Sequence, residues 1–398
     1  MSRKGTVRLI VSFPVNLVPS LSLRAPPRVV GWWSAQFGGV ITWPLISFAL
    51  ALIDVLEEFV TTSRFAVLGF GSSGARHAAL LRQRFPEAAM LVYSSRVQEL
   101  AGFSTTSSLD DVSKFLPDIV VVAGVATDRQ RMVDSLPENL LGVLIEKPLA
   151  DCHSTGLEVA RALQNRSAVV QVGYNLRFSP SLGEFRNRVK KNRWGKLLGI
   201  RAETGQYLPD WRPGRDYRST ASAQAALGGG VLLELSHEID YLRWIFGEVS
   251  SVSARIEKRS NLEIDVEDTA HLTLEFVSTH DNVGLLAQLN LDFVRHDQTR
   301  QVTALFEGGT LRWDGLSRTV EEHFAGTGFW NTVFSEGDAE QDTSVSQLDA
   351  FLLAAQGSQA PAVSLDDGLS VLQIIDSARA SSLAGAVCVP VEPDSGSL

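Results

Sequence analysis

The sequence predicts an α/β protein in which a doubly wound parallel sheet is followed by an α+β domain with a large, mostly antiparallel open sheet. From Arg64 onward, short continuous apolar runs alternate with helical patterns, as parallel strands covered on both faces do. Beyond about Arg186, apolar and polar residues alternate along each expected strand, which is typical of antiparallel strands with one covered face. The predicted segments are an N-terminal extension over 1–63, the two domains over 64–185 and 186–392, and a tail over 393–398.

The first domain is expected to contain five strands separated by helices. Each expected strand is a short run rich in Val, Ile and Leu, and each expected helix spaces its apolar residues three or four apart. The strands are predicted at Phe65–Leu68, Ala89–Tyr93, Asp118–Ala123, Leu141–Ile145 and Ala168–Val172, and the helices at Ser73–Phe85, Asp128–Ser135 and Ser154–Gln164.

The second domain is expected to be dominated by strands and to end in two helices. Its alternating strands are predicted at Val252–Lys258, Thr269–Phe276, Gly284–Phe293 and Gln301–Phe306, and its closing helices at Ser344–Ala355 and Leu365–Ala380. Pro, Asp, Ser and Gly make up most of the last six residues, which are expected to fray.

The N-terminal extension does not fit this pattern. From Gly31 to Ile53 it carries no charged residue, and its length meets the rule of about 20 residues for a membrane span. Three interpretations are open. A membrane anchor is disfavoured by interior glycines and Pro44, and a signal peptide by the distance of the apolar stretch from Met1. The favoured interpretation is translated upstream sequence before a native start at Val60.

Composition excludes several classes of function. The chain has 398 residues, a formal net charge of -9 and two cysteines. An acidic chain without a Lys/Arg run lacks the footprint that nucleic acid requires. Cys152 and Cys388 lie far apart and provide neither a disulfide framework nor a zinc-binding spacing. We therefore expect no metal, no nucleic-acid partner and a reducing, cytoplasmic setting.

A glycine-rich turn follows the first predicted strand. Gly69, Gly71 and Gly74 form G-x-G-x-x-G between that strand and a helix. The first glycine permits the tight turn, the second lets the backbone approach a pyrophosphate, and the third lets helix and strand pack closely. With Ser72 and Ser73 they predict a Rossmann nucleotide site, because the helix N-terminus offers free N–H groups to phosphates. A turn without a ligand is the alternative.

The end of the second strand bears on the choice of cofactor. An acidic residue about 20 positions after the turn would bind the ribose hydroxyls of NAD, but this chain has Ser94, Ser95 and Arg96 there. Hydroxyls and a guanidinium suit a ribose phosphate, so NADP is favoured over NAD unless Arg96 is only a surface residue. Ala126 and Thr127 are also assigned to the cofactor site.

Glu146, Lys147 and Pro148 end the fourth strand, where ligands bind in this fold. Lys147 could orient a substrate hydroxyl and stabilise developing charge, and both Glu146 and Lys147 are assigned to the cofactor site. Position alone favours a plain surface Glu–Lys pair.

A second glycine-rich turn, Gly228–Gly230, leads into an amphipathic helix that contains His237. A histidine that titrates near neutrality can accept the proton of a substrate alcohol as its hydride leaves. The alternative, a histidine that caps or packs the helix, is the better interpretation of a lone histidine.

Taken in order, these motifs resemble the Gfo/Idh/MocA oxidoreductases from about Arg64 to about Val391. The resemblance is carried by Gly69–Gly74, Glu146–Pro148, Gly173–Phe178, and Gly229 and Gly230 with His237 and Asp240. The stretch Gly205–Pro213 is similar to a subgroup often associated with surface-sugar pathways.

The resemblance implies roles for individual residues. Lys147 would be the active-site lysine and His237 the proton acceptor or donor, with a cis peptide bond before Pro148. The residues that would contact substrate are Tyr174, Asn175, Arg177, Trp211, Arg212, Asp216, Tyr217 and Asp240. One departure concerns the acidic residue that many members place four positions before the histidine: that position here is Leu233, and Glu234 is the nearest acid.

The expected function is reversible hydride transfer between NADP(H), or NAD(H), and a hydroxyl- or carbonyl-bearing carbon of a sugar or sugar derivative. A redox-neutral glycosidase or epimerase that retains its nicotinamide is one alternative, and a non-catalytic ligand-binding regulator is another. The resemblance also implies a homodimer or homotetramer formed through the open face of the second sheet.

Overall fold

The computed structural model describes residues 63–96, 99–278, 284–337 and 342–392. The apolar stretch from Gly31 to Ile53, the proposed start at Val60 and the tail after residue 392 lie outside the described residues. Within the ranges described, no helix is both long enough and apolar enough to cross a membrane.

Among the residues that the structure describes, the first sheet has six strands in the order β3-β2-β1-β4-β5-β6, all of them parallel. The strands are β1 Phe65–Leu68, β2 Met90–Tyr93, β3 Ser104–Thr106, β4 Ile119–Val122, β5 Gly142–Ile145 and β6 Val169–Val172. Every residue of β1, β2, β4 and β5 is buried, because helices cover both faces. The helices are α1 Ser72–Arg84, α2 Leu109–Phe115, α3 Arg129–Asp134 and α4 His153–Gln164.

The chain then crosses to a second sheet through helix α5, Pro180–Lys191. Ser179 begins this helix by accepting a hydrogen bond from the Leu182 N–H group, and Pro180 occupies its first turn, where a missing N–H costs nothing. The helix runs through the predicted domain boundary at residues 185 and 186, so that boundary stays a prediction.

In the part of the chain described, the second sheet has nine strands in the order β14-β13-β12-β11-β7-β10-β9-β8-β15. The β7–β10 pair is parallel and the other pairs are antiparallel. The strands are β7 Leu197–Gly205, β8 Val249–Glu257, β9 Thr269–Phe276, β10 Leu286–Asp292, β11 Thr299–Phe306, β12 Gly309–Asp314, β13 Thr319–Phe324, β14 Asn331–Ser335 and β15 Val389–Pro390.

Helices cover one face of this sheet, as the alternating pattern predicts. Between β7 and β8 lie two helices in succession, α6 at Val231–Glu234 and α7 at His237–Phe246. The last two helices, α8 at Thr343–Ala355 and α9 at Leu365–Leu383, return to the first domain, where α8 contacts β5 and α9 contacts α4. The C-terminal helices therefore tie both domains together at the edge where β5 and β6 end.

The predicted fold class is confirmed, with differences in detail. The predicted strand at Thr269–Phe276 matches β9 residue for residue. Strands β3, β7, β12, β13, β14 and β15 and helices α2 and α5 were not predicted. The amphipathic helix expected after the second glycine turn is broken in two between Glu234 and His237, and this break decides which side chains reach the site.

Candidate active site

The first glycine turn forms a cradle that fits a dinucleotide phosphate. Gly69 has φ +96°, and a Cβ there would lie 2.5 Å from the Gly124 nitrogen. A Cβ on Gly74 would lie 1.9 Å from the Gly69 oxygen, whereas one on Gly71 would meet no atom within 4 Å. Gly71 begins α1 and no side-chain cap is bound there, so no capping side chain competes with a ligand for the first N–H groups of the helix. This is the arrangement that a pyrophosphate requires.

The remaining predicted cofactor residues lie along the same edge of the sheet. Ser95 and Arg96 are exposed in the turn after β2. Ala126 is buried, and the Thr127 hydroxyl donates a hydrogen bond of 3.1 Å to the Ala226 carbonyl. A Cβ on Gly228 would lie 2.7 Å from the Ala126 Cβ. The loop before α6 thus closes against the strand exits of the first domain.

Lys147 follows β5 at a point where buried Arg129 fixes the backbone. The Arg129 guanidinium donates to the carbonyl oxygens of Gly124, Glu146 and Lys147. Burial lowers the Arg129 pKa to about 10 against the opposing charge of Glu146, so the side chain stays charged at neutral pH. The peptide bond between Lys147 and Pro148 is cis, as the resemblance implies.

The Glu146 side chain points away from solvent and pairs with a histidine from α1. His77 Nε2 lies 2.6 Å from Glu146 Oε1, and His77 is only 1% exposed. Burial raises the pKa of Glu146, but the hydrogen bond and charge of His77, with the charges of Arg129 and Lys147, lower it below its ordinary value overall. Glu146 is therefore an internal anion that ties the strand exit to the nucleotide helix.

The Lys147 ammonium reaches across to the second domain. Nζ donates a 2.7 Å hydrogen bond to the Glu234 carbonyl and lies 3.7 Å from Glu234 Oε2. Ser222 Oγ donates to the other carboxylate oxygen of Glu234 at 3.0 Å. Leu233, in contrast, is 1% exposed in the core. The short helix α6 thus points Glu234, three residues before the histidine, at the lysine.

His237 begins α7 beside this lysine. Its ring meets the buried ring of Tyr174 edge-on, with centroids 5.6 Å apart. Nδ1 is enclosed and has no hydrogen-bond partner among the described residues, which leaves Nε2 as the nitrogen open to a ligand. Burial and then the positive charges of Lys147 and Arg300 hold the His237 pKa well below 6.5. The imidazole is therefore neutral at physiological pH and can accept a proton.

Four expected substrate contacts are instead engaged inside the protein. Tyr174 is fully buried, and its hydroxyl donates to Ser236 Oγ at 3.4 Å, so it backs His237 and does not line the cleft. Arg177 binds Asp240 through two hydrogen bonds of 2.6 and 3.0 Å. Asn175 Nδ2 donates to a threonine hydroxyl of α8 at 2.8 Å. In this structure each of these four side chains therefore makes at least one hydrogen bond to another protein group.

The other expected substrate contacts lie together in the connecting segment between β7 and α6. Trp211, Arg212 and Tyr217 line one narrow crevice. The Trp211 indole donates to the Gln206 carbonyl, and its ring meets Phe293 edge-on. Asp216 binds Arg218 at the surface and is exposed.

Sequence reasoning missed His77 and Arg129, which hold the Lys147 segment in place. A signal for His77 was available: Gly74, His77, Ala78 and Leu81 are the buried face of α1, and a lone polar residue at that spacing requires a buried partner. Arg129 carried no such signal, because its acceptors are backbone carbonyls that no side-chain pattern marks.

Comparison with known proteins agrees with this architecture. Residues 63–174 match a family model described as oxidoreductase family, NAD-binding Rossmann fold, and residues 183–312 match the Gfo/Idh/MocA C-terminal domain. Together the two models cover more than half of the chain.

Among curated relatives, inositol 2-dehydrogenase 2 of Saccharopolyspora erythraea is 30% identical over 40% of this chain, and the matched region spans 44% of that relative. Among solved structures, levoglucosan dehydrogenase in complex with NADH and levoglucosan has a TM-score of 0.70 at 19% identity, covering 83% of this chain and 100% of that one. The WlbA dehydrogenase of Bordetella pertussis, in complex with NADH and UDP-GlcNAcA, has a TM-score of 0.69 at 20% identity, covering 84% and 100%.

At these identities the structural likeness establishes the fold. The two family models cover the stretches that contain the nucleotide turn, Lys147 and His237. The chain belongs to the Gfo/Idh/MocA oxidoreductase family and carries its NAD-binding Rossmann domain.

Proposed function

We propose that this protein is an NAD(P)-dependent dehydrogenase that oxidises a secondary hydroxyl of a sugar or sugar derivative, and reduces the matching carbonyl in reverse. The observation that carries the proposal is the meeting of Lys147 and the histidine helix: Lys147 Nζ lies 2.7 Å from the Glu234 carbonyl, three residues before His237. Lys147 and the helix that carries His237 belong to different domains, and their contact supports an active site between Lys147, His237 and the glycine turn.

In this proposal the bound nicotinamide supplies the hydride acceptor or donor. Neutral His237 takes the hydroxyl proton on Nε2 while the carbon that bears this hydroxyl gives up its hydride to the nicotinamide and the C=O bond forms. In the reductive direction His237 returns the proton to the oxygen. Lys147 donates a hydrogen bond to the reacting oxygen and stabilises its developing charge. Glu234 and Arg129 act through Lys147, as positioning residues for its side chain and its backbone.

The finer assignments are proposals too. Ser95 and Arg96 are exposed beside the cradle, which supports NADP as the preferred cofactor because a guanidinium suits a ribose phosphate. A sugar-like substrate is supported by relatives named inositol and levoglucosan dehydrogenases. We also propose a cytoplasmic homodimer or homotetramer joined through the open face of the second sheet.

The test begins with fluorescence titration of the full chain with NADPH and NADH side by side. Oxidation of myo-inositol, levoglucosan and a panel of sugars is then followed by the appearance of reduced nicotinamide. Tighter NADPH binding and substrate-dependent reduction are expected. Converted sugar with cofactor that stays bound and shows no net change would favour the redox-neutral alternative. Cofactor and sugar binding without turnover would favour the regulator.

A further inference from the structure

Arg300 is a charged residue on the covered face of the second sheet that the proposed reaction does not use. It lies near the start of β11, paired in register with Thr204 of β7. Both side chains bind one oxygen of Glu238, the residue after His237: Arg300 Nε at 2.9 Å and Thr204 Oγ1 at 3.0 Å. Glu238 is 0% exposed, so this contact anchors Arg300 beside the proton acceptor.

The stem of Arg300 is also held by packing. A Cβ on Gly315 would lie 2.9 Å from Arg300 Cγ and 2.7 Å from the nearest atom of the Trp313 ring, and Trp313 is 1% exposed. Only a glycine leaves room for the arginine stem against this buried indole. The side chain is therefore fixed at its base and at Nε.

The far end of the same side chain is free. Among the described residues, neither terminal nitrogen of Arg300 donates a hydrogen bond, and the side chain is 25% exposed. Its positive charge acts on the His237 ring together with that of Lys147. Because Arg300 Nε binds Glu238, the residue after His237, the terminal nitrogens lie close to the first turn of α7.

A purely structural counterion is expected to look different. Arg177 binds Asp240, and Arg243 binds Glu248, each through Nε and a terminal nitrogen to both carboxylate oxygens. That two-point contact is the preferred geometry for arginine and carboxylate. Arg300 donates a hydrogen bond to one oxygen of Glu238 through Nε alone, and its two terminal nitrogens take no part in that hydrogen bond.

We propose that Arg300 forms an oxyanion subsite that selects an anionic sugar, one that carries a carboxylate or a phosphate, for oxidation at His237. This inference rests on the proposed dehydrogenase function. The planar guanidinium end offers two parallel N–H donors, which match the paired oxygens of a carboxylate or phosphate. A neutral hydroxyl would accept only one of them. Carboxylate and phosphate share this chemistry, so the experiment separates them.

The experiment compares D-glucose, D-glucuronate and D-glucose 6-phosphate, which differ only at C6, and repeats the first two in the galacto series. For each sugar, kcat and KM are measured with the full chain and saturating cofactor, and Kd is measured on the NADH- or NADPH-loaded protein. We expect kcat/KM for one anionic form to exceed that of the neutral sugar by at least tenfold, mainly through KM. The anionic sugar with the higher kcat/KM shows whether the subsite binds a carboxylate or a phosphate.

Three variants show whether Arg300 causes the preference. The double variant Arg300→Gln with Glu238→Gln removes both charges together, so no buried anion is left unpaired. Glu238→Gln alone keeps Arg300 and its free end. Arg161→Gln, on the exposed face of α4, is the matched control for loss of one guanidinium. We expect the preference to fall to within about twofold of unity in the double variant and to survive in the other two.

The outcomes separate this inference from the proposed function. Oxidation of neutral and anionic sugars with equal kcat/KM, or a preference that survives in the double variant, overturns the oxyanion subsite and leaves the dehydrogenase standing. Tighter, Arg300-dependent Kd for an anionic sugar without any turnover supports the subsite and rejects the dehydrogenase. Absence of both turnover and Arg300-dependent binding rejects both.

Discussion

The two groups proposed to act on substrate are held in opposite ways. Lys147 follows a strand of the parallel sheet, where Arg129 binds its carbonyl oxygen and Glu234 meets its ammonium. His237 begins a helix of the second domain, and its Nδ1 has no hydrogen-bond partner among the described residues. Its main neighbour is the edge-on ring of Tyr174. One group is fixed by polar contacts and the other by packing.

This difference matches the charge that each group requires. A cation in a partly buried site requires acceptors, because an unpaired buried charge is costly. A base must be neutral before it accepts a proton, and an apolar enclosure favours the neutral imidazole. Glu234 of the second domain thus supplies acceptors to the Lys147 ammonium, whereas the enclosure of His237 favours the neutral form of its ring. Each prediction below removes one part of this contrast.

The largest effect is expected from Lys147→Ala. Loss of a positioned charge at the reacting oxygen should lower kcat by roughly a thousandfold, whereas Kd for reduced cofactor should change little because the glycine cradle remains. Steady-state kinetics and fluorescence titration measure the two quantities. Lys114→Ala, at an exposed Lys–Asp pair on α2, is the control. Turnover of Lys147→Ala within tenfold of wild type would reject the role of this lysine.

His237→Asn should lower kcat by about a hundredfold, because the reaction then loses its general base. The wild-type pH profile gives a sharper test. A histidine pKa held well below 6.5 keeps the ring neutral as pH falls through 6.5. The acid limb of kcat/KM for alcohol oxidation should therefore lie below pH 6.5, and the variant should lack it. An acid limb at or above 6.5 would show that packing does not suppress the charge of His237.

The sequence predicted those features that have a local pattern and missed those that depend on contacts between distant residues. Continuous and alternating apolar runs predicted the parallel and antiparallel sheets, and motif order predicted Lys147 and His237, because both signals are local. The His77–Glu146 pair spans 69 residues and the Glu238–Arg300 pair 62, so neither has a local pattern. The break between Glu234 and His237 was also missed, because the surrounding residues favour one continuous helix. Only the tertiary contacts reveal that Glu234 faces the lysine.

Arg129→Met tests whether the hydrogen bonds of Arg129 hold the backbone of Lys147 in place. Met keeps much of the length but none of the donors, so the buried carbonyls of Glu146 and Lys147 lose their partner. The free energy of unfolding, measured by urea denaturation, should fall by about 3 kcal/mol, and kcat should fall with it. Arg131→Met is the matched control, since Arg131 is 60% exposed in its pair with Asp128, and surface pairs contribute about 1 kcal/mol at most. Equal destabilisation of the two variants would remove Arg129 from the support of Lys147.

The smallest effect is expected from Glu234→Gln. This variant separates the contribution of the Glu234 carboxylate to holding Lys147 from that of the Glu234 backbone carbonyl. The 3.7 Å ion pair is lost, but the 2.7 Å hydrogen bond from Nζ to the Glu234 carbonyl stays. Because this ion pair is long and the shorter hydrogen bond remains, we expect kcat to fall by only about fivefold, which corresponds to about 1 kcal/mol, with KM nearly unchanged. Glu248→Gln, at the far end of α7 and 61% exposed, is the control. A loss as large as that of Lys147→Ala would mean that the Glu234 carboxylate itself takes part in the reaction. The Lys147 ammonium would then depend on the side chain of Glu234 and not on its backbone carbonyl.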